Sequence, residues 1–581
     1  MNGLWAKVPA WQWLSTYSRK DFGDDLLASV IVTIMLIPQS LAYALLAGLP
    51  PEAGLYASML PLVVYAVLGS SRVLAVGPVA VLSLMTASAL GAVVGEGESY
   101  ALAAMTLALL SGGFLLLLGV LRLGFIANFL SHAVITGFVA ASGVLIAISQ
   151  LSAVLALPSG GHNVVERLAN LLGQIEHTHG PTAVVGFATM ALLLFARSRL
   201  APLLKRLGVS VQLATYITRG GPVVAVVLSI WAVGAFDLIE AGVAVVGVVP
   251  QGLPALELVL PSLDLALRLL PAAVLLSLVG FVESISVAQS LAMRRRQQIF
   301  PNQELLGLGA ANVAAGLAGG FPVTGGFTRS VVNFDAGAVT PFAGVLTAGF
   351  MALPAAFLTP LFHDLPKAVL AGTIIIAVIS LIDVPAMART LRQSPQDFAA
   401  MAATIVGVLA LGVELGISCG VLVALGLHLG QSSRPHMAIV GRVPGTEHFR
   451  NIDRHEVETD PRVLSVRVDE SLYFANARFL EDQLLAWVTA RPEVEDVVLL
   501  CSAVNGMDGS AVETLESLNA RLRAAAVRLH LSEVKGPVMD RLRRTHLLSE
   551  LTGEVFFTHH RAMTVLLGRE ATAAPEGALP A

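Results

Sequence analysis

The 581-residue chain is 55% hydrophobic and 13% charged, with a mean hydropathy of +0.76; a soluble domain carries roughly 25% charged residues. Its net charge of −4 offers nothing to nucleic acid. Cys419 in an apolar run and Cys501 in a polar region are too few and too differently placed for a disulfide framework or a zinc site. The absence of a Gly-Lys dipeptide rules out a Walker-type phosphate loop, and no metal or nucleophile constellation marks an enzyme.

Residues 1–23 hold Trp5, Trp11 and Trp13 among Lys7, Arg19 and Lys20, with no short apolar stretch leading to a small-residue cleavage site. They read as a retained cytoplasmic interfacial segment. From 24 to 433 the chain reads as a transmembrane domain. Its apolar runs lie at 24–46, 52–69, 79–94, 101–120, 125–152, 181–197, 221–237, 269–293, 302–319, 328–336, 341–361, 366–382, 397–413 and 415–431. Lys and Arg concentrate in alternate loops, among them Arg72, Arg122, Arg197 and Arg294 to Arg296, whereas the opposite loops hold only Arg167, Arg268 and Lys367. That asymmetry puts both termini in the cytoplasm.

Two runs, 79–94 and 328–336, are too short to cross, and each is third in its group of seven. The position suggests an inverted repeat with two half-helices. Their lead-ins, Val73 to Gly77 before Pro78 and Gly320 to Gly326 before Phe327, are β-permissive or rich in Gly and Pro. Such backbone survives at membrane depth where it lines a cavity. Two half-helix N-termini meeting near the midplane would direct free N–H groups at an anion; ordinary kinks are the alternative.

Glu283 is the one charged residue between Arg268 and Arg294. An ionised acid there costs about 3 kcal/mol, so it must face a polar cavity, pair with a cation or be protonated. A protonated Glu serving helix packing is the rival explanation. Ser284 and Ser286 beside it fit packing equally well. Gln39 follows Pro38 at mid-span, with Tyr43 one turn on, and occupies in the first repeat the place of Glu283 in the second. Both suit either solute contact or an interhelical hydrogen bond. Arg329, after Thr328 at the start of the second half-helix, either offsets an anion or Glu283, or snorkels to a surface.

The stretches Ile37-Pro38-Gln39-Ser40-Leu41-Ala42-Tyr43, Pro51-Glu52-Ala53-Gly54-Leu55-Tyr56, Gly69-Ser70-Ser71-Arg72, Gly77-Pro78, Phe281-Val282-Glu283-Ser284, Asn302-Gln303-Glu304-Leu305 and Gly326-Phe327-Thr328-Arg329-Ser330 resemble the SulP sulfate permeases and related inorganic anion transporters. The resemblance implies a polytopic α-helical fold of about 14 segments in a seven-plus-seven inverted repeat. Core and gate domains would hold the substrate between the half-helices, and a homodimer would work by an elevator-like motion. It further implies Gln39, Tyr43, Val79, Ala80, Gly326, Phe327, Thr328 and Arg329 as substrate-binding positions, and Glu283 as the proton-coupling residue. The implied activity is secondary active transport of a small anion (sulfate, bicarbonate or a dicarboxylate) by proton symport, in a bacterial inner membrane. No cofactor is expected beyond a proton or other ion gradient, and the partners are the anion, protons, lipid and a second copy. An uncoupled exchanger or channel of the same fold is the alternative.

From 443 to 568, strand-like runs (463–468, 497–500, 528–531, 555–557) alternate with amphipathic ones (477–489, 510–525, 537–545), as in a small α/β domain. This stretch resembles the STAS domain that follows the membrane part in the same family. Asp508 and Ser510 of Met507-Asp508-Gly509-Ser510-Ala511 stand where its motif lies and would cap a helix. Gly509 occupies the place of the serine phosphorylated in anti-sigma-factor antagonists. The remaining 569–581 read as a disordered tail.

Overall fold

The computed structural model describes residues 9–95, 99–129, 131–158, 161, 163–210, 214, 217, 218, 220–256, 261–379 and 382–568. The tail 569–581, Trp5, Lys7 and Arg219 lie outside the described residues. The chain divides into two units, Met1–Ala424 and Leu425–Ala581.

The first unit is helical: α1 Pro9–Leu14, α2 Arg19–Leu46, α3 Pro51–Tyr56, α4 Leu60–Leu68, α5 Ala80–Val93, α6 Tyr100–Val120, α7 His132–Leu155, α8 Val164–Gly173, α9 Gly180–Phe195, α10 Ala201–Arg206, α11 Gly221–Ala235, α12 Leu263–Arg294, α13 Pro301–Leu317, α14 Phe327–Asp335, α15 Phe342–Leu353, α16 Lys367–Ile379, α17 Val384–Gln393, α18 Pro395–Leu411 and α19 Val413–Ser432. Among the described residues nine helical stretches are long and apolar enough to cross a membrane, some of them joining neighbouring elements, as Pro51–Leu68 joins α3 and α4 and Gly180–Arg206 joins α9 and α10; α5, α11 and α18 are apolar but shorter.

Local chemistry moves several ends from their sequence-derived places. Ser18 and Asp21 form a reciprocal capping box, so α2 begins at Arg19 and takes in the acidic residues that had marked the span's edge. The run at 52–69 breaks into α3 and α4, with Pro61 in the first turn of the second piece. The run at 125–152 opens as a 3-10 turn, Gly124–Phe129, and becomes α-helical at His132, capped by Ser131. Trp13, read as an interfacial anchor, is instead buried. Its indole N–H donates to the Ala66 carbonyl at 3.3 Å, and its ring packs against Tyr17 and Phe342.

Glycine allows a close helix contact between α6 and α13. A Cβ at Gly112 would lie 2.7 Å from the Gly309 carbonyl oxygen, and one at Gly309 2.9 Å from that of Gly112. Lipid tails are as apolar as leucine, so helices in a membrane gain by such backbone approach and not by water exclusion.

The two lead-ins are extended, as their composition predicts, and they pair with each other. β1, Val76–Gly77, runs antiparallel to β2, Thr324–Gly325, with Val76 opposite Gly325 and Gly77 opposite Thr324. Pairing satisfies backbone groups that no water would reach at this depth. It also brings the starts of α5, 14 residues long, and α14, 9 residues long, to one place.

The second unit carries a six-stranded sheet: β3 Met437–Arg442, β4 Phe449–Asn451, β5 Val463–Val468, β6 Asp496–Leu500, β7 Arg528–Ser532 and β8 Val555–Phe556, in the order β4-β3-β5-β6-β7-β8. β5 to β8 are parallel, β3 is antiparallel to both neighbours, and all of β6 is buried. Helices α20 Ala477–Thr489, α21 Gly509–Ala524, α22 Gly536–Leu542, α23 Leu547–Glu550 and α24 His559–Leu566 complete it. Separate apolar clusters, one around Leu464, Val466 and Leu499 and the other around Val498, Leu500 and Phe556, cover the two sheet faces. β3 precedes residue 443, where the sequence pattern appeared to begin.

Candidate substrate-binding site

A central cavity of about 50 Å³ is lined by Gln39 and Tyr43 of α2, Glu283 of α12, the start of α5 with Val79 and Ala80, and the start of α14 from Gly326 to Arg329. Every membrane-domain residue singled out as a binding or coupling position therefore reaches one space. Ala377 and Val378 of α16 close it. Sequence reasoning missed these two, because they carry no mark beyond belonging to an apolar helix.

Val79 and Gly326, with extended backbone, are the N-caps of the half-helices, and neither supplies a side-chain cap. Among the described residues the first-turn N–H groups thus lack side-chain acceptors, and the positive ends of both helix dipoles face the cavity. Phe327 and Thr328 are exposed to a wider cavity of about 510 Å³, which shares them and Gln39 with the central one and extends to Arg197 and Thr218.

Arg329 does not snorkel. It is 2% exposed, and its Nη1 donates to the Pro78 carbonyl at 2.6 Å. Among the described residues its Nε and Nη2 are buried with no hydrogen-bond partner. The guanidinium fits because the neighbouring lead-in residues are glycines: a Cβ at Gly326 would come within 2.9 Å of Nη2, and one at Gly77 within 3.3 Å of Nη1. Glu283 lines the same cavity, partly buried, and among the described residues its side chain has no hydrogen-bond partner.

A buried polar scaffold holds these parts. Gly325 donates its N–H to Ser284 Oγ at 2.7 Å, and Ser284 and Thr324 hydroxyls share a 2.5 Å hydrogen bond. Thr324 Oγ1 also donates to the Gly280 carbonyl at 2.6 Å. Ala75 donates to Ser330 Oγ at 2.9 Å, and Asn333 Nδ2 to the Val73 carbonyl at 3.0 Å, so the first lead-in is bound to the half-helix of the second repeat. Ser284 is therefore a positioning residue, whereas Ser286 makes no comparable bond among the described residues.

Two further buried acids, to which the sequence assigns no role, brace the same region. Glu304, fully buried in α13, accepts from Tyr65 Oη at 2.7 Å, Ser70 Oγ at 2.7 Å, Ser70 N at 2.8 Å and Ser71 N at 3.0 Å, and so fixes the turn into β1. Asp25 of α2, also fully buried, accepts from Val339 N at 2.7 Å, Thr340 N at 3.1 Å and Thr340 Oγ1 at 2.5 Å beyond α14. Both sit near helix ends, where an acid in a sequence reads as a solvated terminus.

In the second unit Asp508 caps α21: its carboxylate accepts from Ala511 N at 2.8 Å and Phe474 N at 2.9 Å. Ser510, expected to share that role, does not, because Asp508 already holds the cap position and Ser510 lies inside the first turn, exposed.

The sulfate permease family model matches residues 22–404, and the STAS domain model matches 454–562. The chain is 34% identical to the chloroplastic sulfate transporter 4.1 of Arabidopsis thaliana, covering 96% of this chain and 82% of that protein. It is 32% identical to sulfate transporter 1.3 of the same plant, covering 96% and 87%. Murine Solute Carrier 26 family member A9, an anion transporter solved in the inward-facing state, shares the fold with a TM-score of 0.87 over 97% of this chain and 94% of that one, at 21% identity. The transmembrane domain of the cyanobacterial bicarbonate transporter BicA matches 71% of this chain and 99% of its own with a TM-score of 0.59, at 23% identity. The fold is thus the polytopic seven-plus-seven inverted repeat followed by a STAS domain, and the relatives are transporters, not enzymes. The chain is an integral membrane protein and belongs to the sulfate permease family.

Proposed function

We propose that the protein is a secondary active transporter that carries a small oxyanion, sulfate first among the candidates, together with protons. The carrying observation is the Arg329 guanidinium, buried at the junction of two half-helix N-termini with two nitrogens that have no hydrogen-bond partner among the described residues. An unpaired buried charge is costly, and an oxyanion bound there would offset it while accepting from first-turn N–H groups. Sulfate ranks ahead of bicarbonate or a dicarboxylate because the curated relatives carry that name.

Glu283 supplies the coupling in this reading. With its carboxylate ionised, the cavity holds one negative and one positive side chain; with it protonated, Arg329 stands uncompensated and an anion is favoured. Anion and proton then load together, without any contact between them. The cavity lies between the half-helices on one side and Ala377 and Val378 on the other, which suits an elevator in which a core carries the anion past a gate. A homodimer in a bacterial inner membrane, with both termini cytoplasmic, completes the proposal. Asp508 and its helix cap are structural in this reading, and Ser510 is an exposed residue beside them.

Purified protein in proteoliposomes tests it. Labelled sulfate uptake should rise with an inward proton gradient and be displaced by oxyanions from a panel. Glu283→Gln should abolish the proton-driven component and leave counterflow. Uptake indifferent to the gradient, with Glu283→Gln matching wild type, would establish an uncoupled exchanger or channel instead.

A further inference from the structure

Three cavities follow one another along α2. The widest touches the helix at Met35 and Gln39, the central one at Gln39 and Tyr43, and a third, of about 300 Å³, at Leu45 and Leu46, with Gly48 just past the helix end. With a rise of about 1.5 Å per residue, the helix end lies roughly 4–5 Å beyond Tyr43, which puts the third cavity on the far side of the central one from the widest. The half-helix α5 gives the same order, its Val79 to Val81 facing the centre and its Leu84 and Ala87 the third cavity.

The third cavity is not an apolar gap between helices. Ser149 and Gln150 near the end of α7 line it, and so does Arg167 on α8, an amphipathic helix between two spans. Arg167 Nε donates to the Gly161 carbonyl at 3.0 Å; among the described residues its side chain makes no other hydrogen bond and pairs with no carboxylate. Arg268, the other arginine on this side, is tied to Asp264 at 2.9 Å. Arginine is scarce in the loops of this side, so positive-inside topology does not account for Arg167. A partly buried guanidinium without a counter-charge costs desolvation that nothing in the fold repays.

We propose that Arg167, with Ser149 and Gln150, forms an outer anion subsite: the first station for a small oxyanion arriving from outside, before it reaches Arg329. This rests on the transport reading and on its orientation. A single-sign cleft with low-dielectric walls concentrates counter-ions about 10- to 1,000-fold, and a lone exposed-edge charge acts at the low end of that range. The guanidinium offers a planar fork to two oxygens of an oxyanion and the Gln150 amide a further donor, while the Ser149 hydroxyl, which donates to the Ile146 carbonyl at 2.8 Å, adds polar lining.

Sided transport kinetics test the subsite, with labelled sulfate, or whichever panel anion the wild type carries fastest, in right-side-out and inside-out vesicles. Arg167→Gln should raise KM for external anion about three- to tenfold, with kcat nearly unchanged and KM from the opposite side unmoved. Arg167→Lys should recover most of the loss. An external KM equal to that of wild type would overturn the subsite while leaving the transport reading intact. Equal damage from both sides, unrepaired by Arg167→Lys, would show a structural role and overturn it too. Wild-type vesicles that carry none of the anions would overturn both readings.

Discussion

Arg329 donates to the carbonyl of Pro78 at 2.6 Å, joining the first turn of one half-helix to the lead-in of the other across 251 positions of sequence. One bond thus fixes the spacing of the two helix starts, and the remaining guanidinium nitrogens are buried beside Gly326, in a residue that lines the space between them.

Arg329→Lys should therefore fail to substitute. A single ammonium that keeps the Pro78 bond cannot also present a planar fork to an oxyanion. Sulfate uptake by Arg329→Lys should fall at least about tenfold in kcat/KM, the scale of one charge-assisted hydrogen bond. Thermal unfolding in detergent, measured beside it, should show the protein still folded.

Ser284→Ala should destabilise the membrane unit, because it leaves the buried Gly325 N–H without its acceptor. An unsatisfied buried group costs about 1–3 kcal/mol. Ser286→Ala is the matched comparison, and its melting temperature should remain that of wild type.

Three of the four donors to the Glu304 carboxylate share Oε1 and only Tyr65 Oη takes Oε2, so Glu304→Gln can keep the three with its amide oxygen but reverses the bond to Tyr65 and replaces charge-assisted bonds by neutral ones. A loss of about 1–3 kcal/mol is expected, with Tyr65→Phe costing about 1–2 kcal/mol for the one bond it removes. Unfolding of both variants in detergent, with kcat for sulfate alongside, measures the cost and its effect on the turn into β1.

His559 gives the second unit a pH dependence. Its Nδ1 is 2.8 Å from Ser532 Oγ, its Nε2 has no partner among the described residues, and burial pulls its pKa down to about 4. The unfolded chain takes up a proton near pH 6.5, whereas the folded one stays neutral. Stability is therefore complete above about pH 6.5 and falls, by about 3 kcal/mol in all, as pH drops towards 4. Hydrogen exchange of the α24 amides between pH 7 and 4.5 should show this loss, and His559→Asn should flatten it.

Much of this architecture is legible in the chain itself. Apolar runs report a bilayer because hydrocarbon tolerates few charges, and the extended lead-ins show because Gly, Pro and β-branched residues disfavour helix. Gln39, Tyr43, Glu283 and Arg329 stood out because polar groups at membrane depth are expensive. The break of 52–69 into two helices, the start of α2 and the strand Met437–Arg442 were less legible, since caps and strand pairing, not hydropathy, set those ends.

The sequence by itself determined that a membrane-spanning, anion-oriented helical unit precedes an α/β domain, because composition and residue type act locally. Only the tertiary structure decided which groups face one another. It paired Val76 with Gly325, set Arg329 against Pro78 and not in an ion pair with Glu283, and turned Asp25 and Glu304 from apparent helix-end charges into buried clamps. The physical reason is that a buried polar group's energy depends on its partner, and these partners lie hundreds of residues away.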